Sequence, residues 1–203
     1  MKKYILYLNT LIITLFLSAC GNSKSEFPST TSLNSDQQDA IAQLLIVASV
    51  FPTENYLPIG LQEPVDETID CDVSGTFSAK GNVDFEEDEQ NQEFNGTFTL
   101  NEVVFTDCVT TTANDEEITI NGSLEVVTDL VLDNFNDGED GILTGSFDST
   151  YEGSLEVSGD ELEDGTCGIN MEGKSLLAEF FIVGELSGNL CGSNYDKVVP
   201  LIF

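Results

Sequence analysis

The chain has 203 residues, a length typical of one domain, and 40% of them are apolar, which is enough to build a core. It contains 37 acidic residues but only six lysines, and there is no Arg, His or Trp. Without His, serine-protease triads, Cys–His couples and imidazole metal ligands are excluded. Without a basic surface, nucleic acid is not an expected partner, and no carboxylate pair stands out as catalytic. We therefore expect a protein that is not an enzyme.

The N-terminal segment has the pattern of an export signal. Two lysines precede a mostly apolar run over residues 4–17, shorter than the ~20 residues that a membrane-spanning helix needs. Residues 17–20 then read Leu-Ser-Ala-Cys, and this segment resembles the lipobox of bacterial lipoproteins. The resemblance implies that residues 1–19 are a signal peptide, that Cys20 carries a lipid anchor, and that Gly21 favours sorting to the outer membrane. The alternative is an uncleaved N-terminal helix with an incidental cysteine.

Removal of the signal peptide would leave a strongly anionic chain. The remaining chain would contain 37 acidic residues and four lysines, which gives a net charge of −33. Residues 20–35 are polar and rich in Ser and Thr, which predicts a flexible tether behind the lipidated Cys20. Residues 36–203 are predicted to form a single β-rich domain with an N-terminal helix.

That amphipathic helix is predicted over residues 36–51. Ser35 is positioned to cap its first turn, and Pro52 is expected to end it. A single apolar stripe recurs at helical spacing and predicts packing against a sheet. A helix that binds a partner or lies on a membrane surface is the alternative. The stripe consists of Ile41, Leu44, Leu45, Ala48 and Phe51.

Beyond the helix, apolar and polar residues alternate with period two, which predicts long antiparallel strands. The first two runs are expected to form a hairpin around an acidic turn, with Val83 opposite Gly96. The same register places Cys71 opposite Cys108. It also places Glu102 on the apolar face, which predicts a bulge beside that residue.

Further runs over residues 118–132 and 143–157 predict a second hairpin around two Asp-Gly turns. A shorter strand is expected over residues 166–171 and a last long strand over residues 176–190. The predicted fold class is mainly β, an antiparallel meander of long strands curled into a barrel-like or sandwich form with one N-terminal amphipathic helix. One helix ~10 Å wide covers less than half of such a sheet, so either the sheet curls into a barrel or sandwich, or part of its apolar face remains as a groove.

Four cysteines remain when Cys20 carries lipid, and an even number in an exported chain predicts two disulfides. The hairpin register favours the pair Cys71–Cys108, and Cys167–Cys191 then follows by elimination. No Cys-x-x-Cys spacing occurs, so neither zinc ligation nor a redox-active dithiol is favoured.

The acidic loop that begins at Asp133 is the candidate metal site. Asp133, Asp137 and Asp140 are candidate ligands for Ca²⁺, because hard cations bind carboxylate oxygens. The loop lacks the residue spacing of an EF-hand. The alternative is a solvated turn whose charge prevents association between sheet edges.

Together these patterns predict a membrane-anchored, acidic envelope lipoprotein with a non-enzymatic interaction or structural role. The membrane is its expected partner through Cys20, while the sequence does not identify a protein partner. Weak binding of divalent cations, Ca²⁺ or Mg²⁺, is a further expectation, and Ca²⁺ is the only candidate cofactor. The alternative function is a periplasmic carrier that holds a lipid or another hydrophobic ligand in the apolar groove.

Overall fold

The computed structural model describes residues 27–54, 64–88, 93–133, 144–160, 162–178 and 181–202. Within these ranges, helix α1 (Ser35–Glu54) is followed by eight strands. The strands are β1 (Pro64–Asp70), β2 (Ser74–Asp88), β3 (Glu93–Thr111), β4 (Glu117–Asp133), β5 (Thr144–Gly159), β6 (Leu162–Ala178), β7 (Phe181–Leu190) and β8 (Ser193–Ile202). Each strand pairs antiparallel with its neighbour in chain order, and β1 and β8 are the two edges of one open sheet. The mainly-β meander with one helix is therefore confirmed.

The sheet curls around α1. The helix contacts β2, β3 and β4 on one side and β7 and β8 on the other. Burial extends beyond the predicted stripe to most of the helix circumference, whereas Gln43 is exposed. The helix therefore lies inside the curve of the sheet and fills it, as expected of a helix that is apolar on most sides. Its buried apolar side chains are Ala40, Ile41, Ala42, Leu44, Leu45, Ile46 and Ala48.

Both predicted helix ends need correction. Asn34, rather than Ser35, is the cap: the Gln37 backbone N–H donates to Asn34 Oδ1 and the Asn34 N–H donates to Gln37 Oε1, each at 3.0 Å. This reciprocal pair is a capping box. At the other end, the helix continues through Pro52 to Glu54. Because a proline in the last turn removes only one helical hydrogen bond, it does not end the helix by itself.

The β2–β3 hairpin differs from the predicted register by two residues. Val83 lies opposite Phe98 instead of Gly96, and the ladder continues to Asp88 and Glu93. A slip of two residues leaves every side chain on its original face, because the side-chain period of a strand is two. Alternation therefore cannot distinguish the two registers.

Strand β3 contains two bulges, and the one beside Glu102 was predicted. The register against β4 shifts on either side of residues 103–105. The first shift reverses the alternation. Val103 and Phe105, the first and last residues of this segment, are therefore buried, while Val104, which strict alternation would place on the inner face, is only half-buried. The second shift restores the alternation, and Cys108 faces the core.

The segment 176–190 forms parts of two strands rather than the single strand predicted. β6 continues to Ala178, β7 begins at Phe181, and the chain reverses between them. β6 also begins earlier than predicted, at Leu162. Since neither Gly nor Pro marks the reversal, no local turn signal identifies it. The edge strands β1 and β8 were not predicted either.

The alternation predicted for β4 and β5 is confirmed. Thr128 and Ser149 also occupy inner positions, where their hydroxyl oxygens are 3.0 Å apart and share a hydrogen bond. This pairing satisfies two polar groups inside an otherwise apolar layer. The buried apolar side chains of the two strands are Ile118, Ile120, Leu124, Val126, Leu130, Phe147, Tyr151, Leu155 and Val157.

Candidate functional site

Several of the predicted site residues cannot be placed together. Cys20, Asp137 and Asp140 lie outside the described residues, and Asp133 is the last residue of β4, with no described side chain. The calcium site therefore stays a prediction. Within the ranges that the structure describes, no group of three or more His, Cys, Asp or Glu side chains is arranged to hold a metal ion.

The predicted Cys71–Cys108 disulfide is present, with the two Cα atoms 5.5 Å apart. The register from which it was predicted is wrong, because Cys71 precedes β2 and lies in the turn after β1. Gly75 lets this turn approach β3 closely: its φ is +78°, and a Cβ there would lie 1.9 Å from the Asp107 carbonyl oxygen. Asp107 lies in the second β3 bulge, next to Cys108. Turn and bulge together bring the two cysteines into contact.

The Cys167–Cys191 disulfide is also present, with Cα atoms 4.2 Å apart. It joins β6 to the turn between β7 and β8. Cys191 has a φ of +50°, and its backbone N–H donates to the Gly168 carbonyl oxygen at 2.9 Å. Because Cys191 lies in a turn, strand alternation does not set the direction of its side chain. If the alternation of β7 continued through Cys191, its side chain would lie on the outer face, opposite to that of Cys167; the turn removes this conflict.

Residues 27–33, which we call the N-terminal strap, are docked on β6, so the flexible-tether prediction is wrong for this part of the chain. The Thr30 N–H donates to the Thr166 carbonyl oxygen at 2.8 Å, and the Thr166 N–H donates to Thr30 Oγ1 at 2.8 Å. The Gly168 N–H donates to Ser29 Oγ at 2.9 Å. Since β6 extends beyond the end of β7 here, the strap supplies partners for backbone groups that β7 leaves unpaired.

The outer face of β4 and β5 carries like charges at directly opposite positions. Asp129 pairs with Asp148 in the ladder and Glu125 with Glu152, and all four side chains are exposed. Thr97 partly compensates, because its hydroxyl donates to Asp129 Oδ1 at 2.8 Å. Like charges at opposite positions destabilise a sheet. The face is therefore strongly anionic at some cost to stability.

Two of the described lysines lie opposite acidic residues on the same outer surface. Lys80 is opposite Asp66 on β1 and Glu102 on β3. Lys174 is opposite Asp148, with Nζ 3.8 Å from Asp148 Oδ1. These side chains are exposed, so each pair contributes little to stability. They are also too few to offset the acidic residues around them.

Salt is expected to stabilise the domain. Raising NaCl from ~0.01 M to ~0.15 M shortens the Debye length from ~30 Å to ~8 Å, so repulsion weakens and the melting temperature should rise. Glu152→Gln removes the repulsion with Glu125 and should stabilise the fold at low salt by ~0.2–1 kcal/mol. Glu172→Gln is the control, because Thr150 and Ser187 lie opposite it. A melting temperature that decreases when NaCl is raised from ~0.01 M to ~0.15 M would contradict this expectation.

A polar cluster, which we call the helix latch, joins the start of α1 to β8. Lys197 Nζ donates to Asp39 Oδ1 at 2.7 Å and to Asp39 Oδ2 at 3.0 Å, and the Tyr195 hydroxyl donates to Asp39 Oδ1 at 2.8 Å. Lys197 also donates to Ser35 Oγ at 2.7 Å. Burial raises the pKa of Tyr195, and the hydrogen bond and negative charge of Asp39 raise it further. The latch therefore favours a protonated tyrosine.

A second buried hydroxyl joins α1 to the middle of the sheet. The Tyr151 hydroxyl donates to Ser49 Oγ at 2.9 Å, and the Ser49 hydroxyl donates to the Ile46 carbonyl oxygen at 2.8 Å. Burial raises the pKa of Tyr151, and its hydrogen bonds with Ser49 and Ser149 offset part of that effect. These bonds fix the helix on β5 as the latch fixes it on β8.

The two tyrosines predict a loss of stability at alkaline pH. Above pH ~10 the unfolded chain ionises its tyrosines, whereas the folded chain keeps Tyr151 and Tyr195 protonated because their pKa values are raised. The unfolded state then binds fewer protons than the folded state, so the free energy of unfolding should fall as the pH rises above ~10. Below that pH the two tyrosines are protonated in both states and do not change the free energy of unfolding.

Urea unfolding at pH 8 and pH ~10.8 would measure the effect, with Cys20→Ser in both proteins so that no free thiol can exchange with a disulfide. The loss between the two pH values should be smaller in Tyr151→Phe/Tyr195→Phe than in the protein with both tyrosines. An equal loss in the two proteins would show that other groups cause it.

The inner apolar face is covered by α1 in the part of the chain that the structure describes. Two surface depressions have volumes of about 340 and 380 Å³. The first is lined mainly by polar residues such as Asn121 and Asp164. The second has a mostly apolar lining, but it lies among the exposed outer residues Asp66, Lys80 and Glu102. Neither is the groove on the inner apolar face that the carrier hypothesis requires. The carrier function stays a prediction without support from these residues.

The described residues therefore form a mainly-β domain: an open sheet that curls around an internal helix, carries two disulfides and is anionic on its outer surface. A scan against protein-family models and searches of curated proteins and of solved structures found no match to this chain. Among the described residues, no helix has the length and apolar character needed to cross a membrane.

Proposed function

We propose that this chain is a membrane-anchored acidic envelope lipoprotein with a non-enzymatic interaction or structural role. The cysteine arrangement is the main support. Four of the five cysteines form two disulfides, and the fifth is Cys20 in the segment that resembles a lipobox. Disulfides are typical of exported domains. Their pairing leaves the Cys20 thiol available for a lipid.

Lipidation can be tested directly in a bacterial cell that makes the full chain. Wild-type protein should incorporate an alkyne-labelled fatty acid and sediment with membranes, whereas Cys20→Ser should lose the label and leave the membrane fraction. Ser23→Ala is the matched control, because it lies three residues away and should change neither result. A wild-type protein without lipid, or a Cys20→Ser protein that keeps it, would refute the anchor.

The interaction role is assigned to the anionic outer face. The opposed pairs Asp129–Asp148 and Glu125–Glu152 cost stability, so a cationic ligand that neutralises them would be favoured. Divalent cations are the simplest such ligands. Ca²⁺ should raise the melting temperature of the purified domain more than NaCl of equal ionic strength, and EDTA should reverse the increase. Equal effects of the two salts would remove cation binding from the proposal.

A further inference from the structure

Two large apolar side chains are exposed on the outer face of β6–β8. Leu176 on β6 and Val198 on β8 are each 63% exposed. Val183 on β7 lies directly opposite Leu176 and is half-buried. Because neighbouring strands are ~4.8 Å apart, these three side chains form one patch about 10 Å wide. We call this patch the apolar flank.

The apolar flank is less acidic than the outer face of β4 and β5. Lys174 and Glu185 occupy opposite positions within it, and Asp148, Glu172 and Asp196 lie at its border. By contrast, β4 and β5 expose six acidic residues and contain no lysine. An anionic surface would therefore repel the flank less than it repels the outer face of β4 and β5. The six are Glu117, Glu125, Asp129, Asp148, Glu152 and Glu156.

The N-terminal strap leads the chain towards this flank. Phe27, the first described residue, lies against Gly168 of β6, where a Cβ would be 2.0 Å from the Phe27 carbonyl oxygen. Thr31 lies nearer the start of β6, against Gly165. Followed towards the N-terminus, the strap therefore runs along β6 in the direction of Leu176.

The position of the flank is within reach of the proposed lipid. Only residues 21–26 separate Cys20 from Phe27. An extended chain advances at most ~3.6 Å per residue, so Cys20 lies within about 25 Å of Phe27. Leu176 follows Gly168 by eight residues along β6, a distance of about 26 Å. A bilayer that holds the Cys20 lipid can therefore reach the flank. It can also reach Glu152 and Glu156 of β5, which lie beside this part of β6, but their charge disfavours contact with anionic lipids.

We propose that the apolar flank is the surface with which the domain contacts the bilayer. This inference rests on the proposed lipid anchor at Cys20. Leu176, Val183 and Val198 enter the headgroup region, and Lys174 faces the lipid phosphates. Five of the six acidic residues of β4 and β5 then lie away from the contact, where repulsion by anionic lipids is weaker. The sixth, Asp148, lies beside the flank, where Lys174 Nζ is 3.8 Å from its Oδ1.

A single tryptophan can report this contact, because the chain has none of its own. Val198→Trp places the reporter on the flank, and Thr150→Trp places it at an exposed outer position of β5 as the matched control. Both variants are made as lipidated full-length protein on phosphatidylcholine vesicles, with and without nitroxide-labelled lipid. Since interfacial groups are buried ~5–10 Å, nitroxide should quench Val198→Trp at least about two-fold more than Thr150→Trp. Leu176→Trp replaces Val198→Trp if that variant does not fold.

Flotation of the vesicles separates the possible failures. Equal quenching at the two positions, in protein that floats, overturns the flank proposal and leaves the anchor intact. Wild-type protein that takes up no lipid and does not float overturns the anchor and this proposal with it. The unlipidated protein that carries both Cys20→Ser and Val198→Trp tests a further possibility. If iodide does not quench its tryptophan and its mass in solution is twice that of the monomer, the flank binds a second copy and the membrane contact is refuted.

Discussion

Reduction of the two disulfides is expected to destabilise the domain by about 7 kcal/mol. In the chain-entropy model, the loops closed by Cys71–Cys108 and Cys167–Cys191, with sequence separations of 37 and 24, are worth about 4 and about 3.5 kcal/mol. A domain of this size has a total stability of ~5–15 kcal/mol. The reduced chain should therefore lose about half or more of its stability at 25 °C. Guanidinium unfolding with and without reductant measures this loss.

Two double variants separate the contributions of the bonds. Cys71→Ser/Cys108→Ser should lower the unfolding midpoint somewhat more than Cys167→Ser/Cys191→Ser, because the first bond closes the longer loop. The second variant should in addition speed amide exchange at Gly168, whose N–H donates to Ser29 beside that bond. A reduced protein with an unchanged midpoint would contradict both expectations.

Leu45→Ala is expected to cost about 2–5 kcal/mol, the second large effect. Leu45 is completely buried on α1, and its truncation would leave a cavity between the helix and the curled sheet. Gln43→Ala is the matched control, because Gln43 is the exposed position of the same turn and should change stability by no more than ~0.5 kcal/mol. Urea unfolding of the three proteins gives both values.

A second variant makes the test specific to the helix position. A helix lying on the outside of the sheet would still bury the predicted stripe with Leu45, but it would expose Ile46, which lies on the other side of the helix and is completely buried here. Ile46→Ala should therefore also cost about 2–5 kcal/mol, and equal midpoints for Ile46→Ala and Gln43→Ala would contradict a helix enclosed by the sheet.

Alternation predicted the fold where strands are regular. β4 and β5 pair without a register shift from Ile118 to Asp133, so their inner and outer residues follow the period of two throughout. The predicted inner residues with large apolar side chains are buried as expected wherever the structure describes those side chains. In β3, two bulges move the side chains of residues 103–105 to the opposite faces of the sheet. The only sequence signal for either bulge was Glu102, which strict alternation placed on the apolar face.

Long-range contacts were beyond the reach of sequence patterns. Thr30 docks on Thr166, 136 residues away, and Asp39 binds Lys197, 158 residues away. The Ser- and Thr-rich composition predicted flexibility, yet the same hydroxyl groups satisfy the exposed edge of β6. Composition shows which hydrogen-bonding groups a segment carries, whereas the fold of the whole sheet determines which groups they bond to.

The Cys71–Cys108 pair was predicted correctly from a register that is wrong. The hairpin slips by two residues, and the β3 bulges together with the turn at Gly75 bring the cysteines together again. The even number of cysteines in an exported chain was the sounder argument, because it does not depend on register.

Nuclear Overhauser effects from the Ile46 methyl groups test the enclosed helix most directly. A Cβ at Gly184 of β7 would lie 2.6 Å from Ile46 Cδ1, so the methyl protons should show strong contacts to the Gly184 α-protons. Other α1 methyl groups should show contacts to β2, β3 or β4 in the same sample, because the sheet reaches both sides of the helix. Contacts from α1 to only one of these two parts of the sheet would contradict the curled architecture.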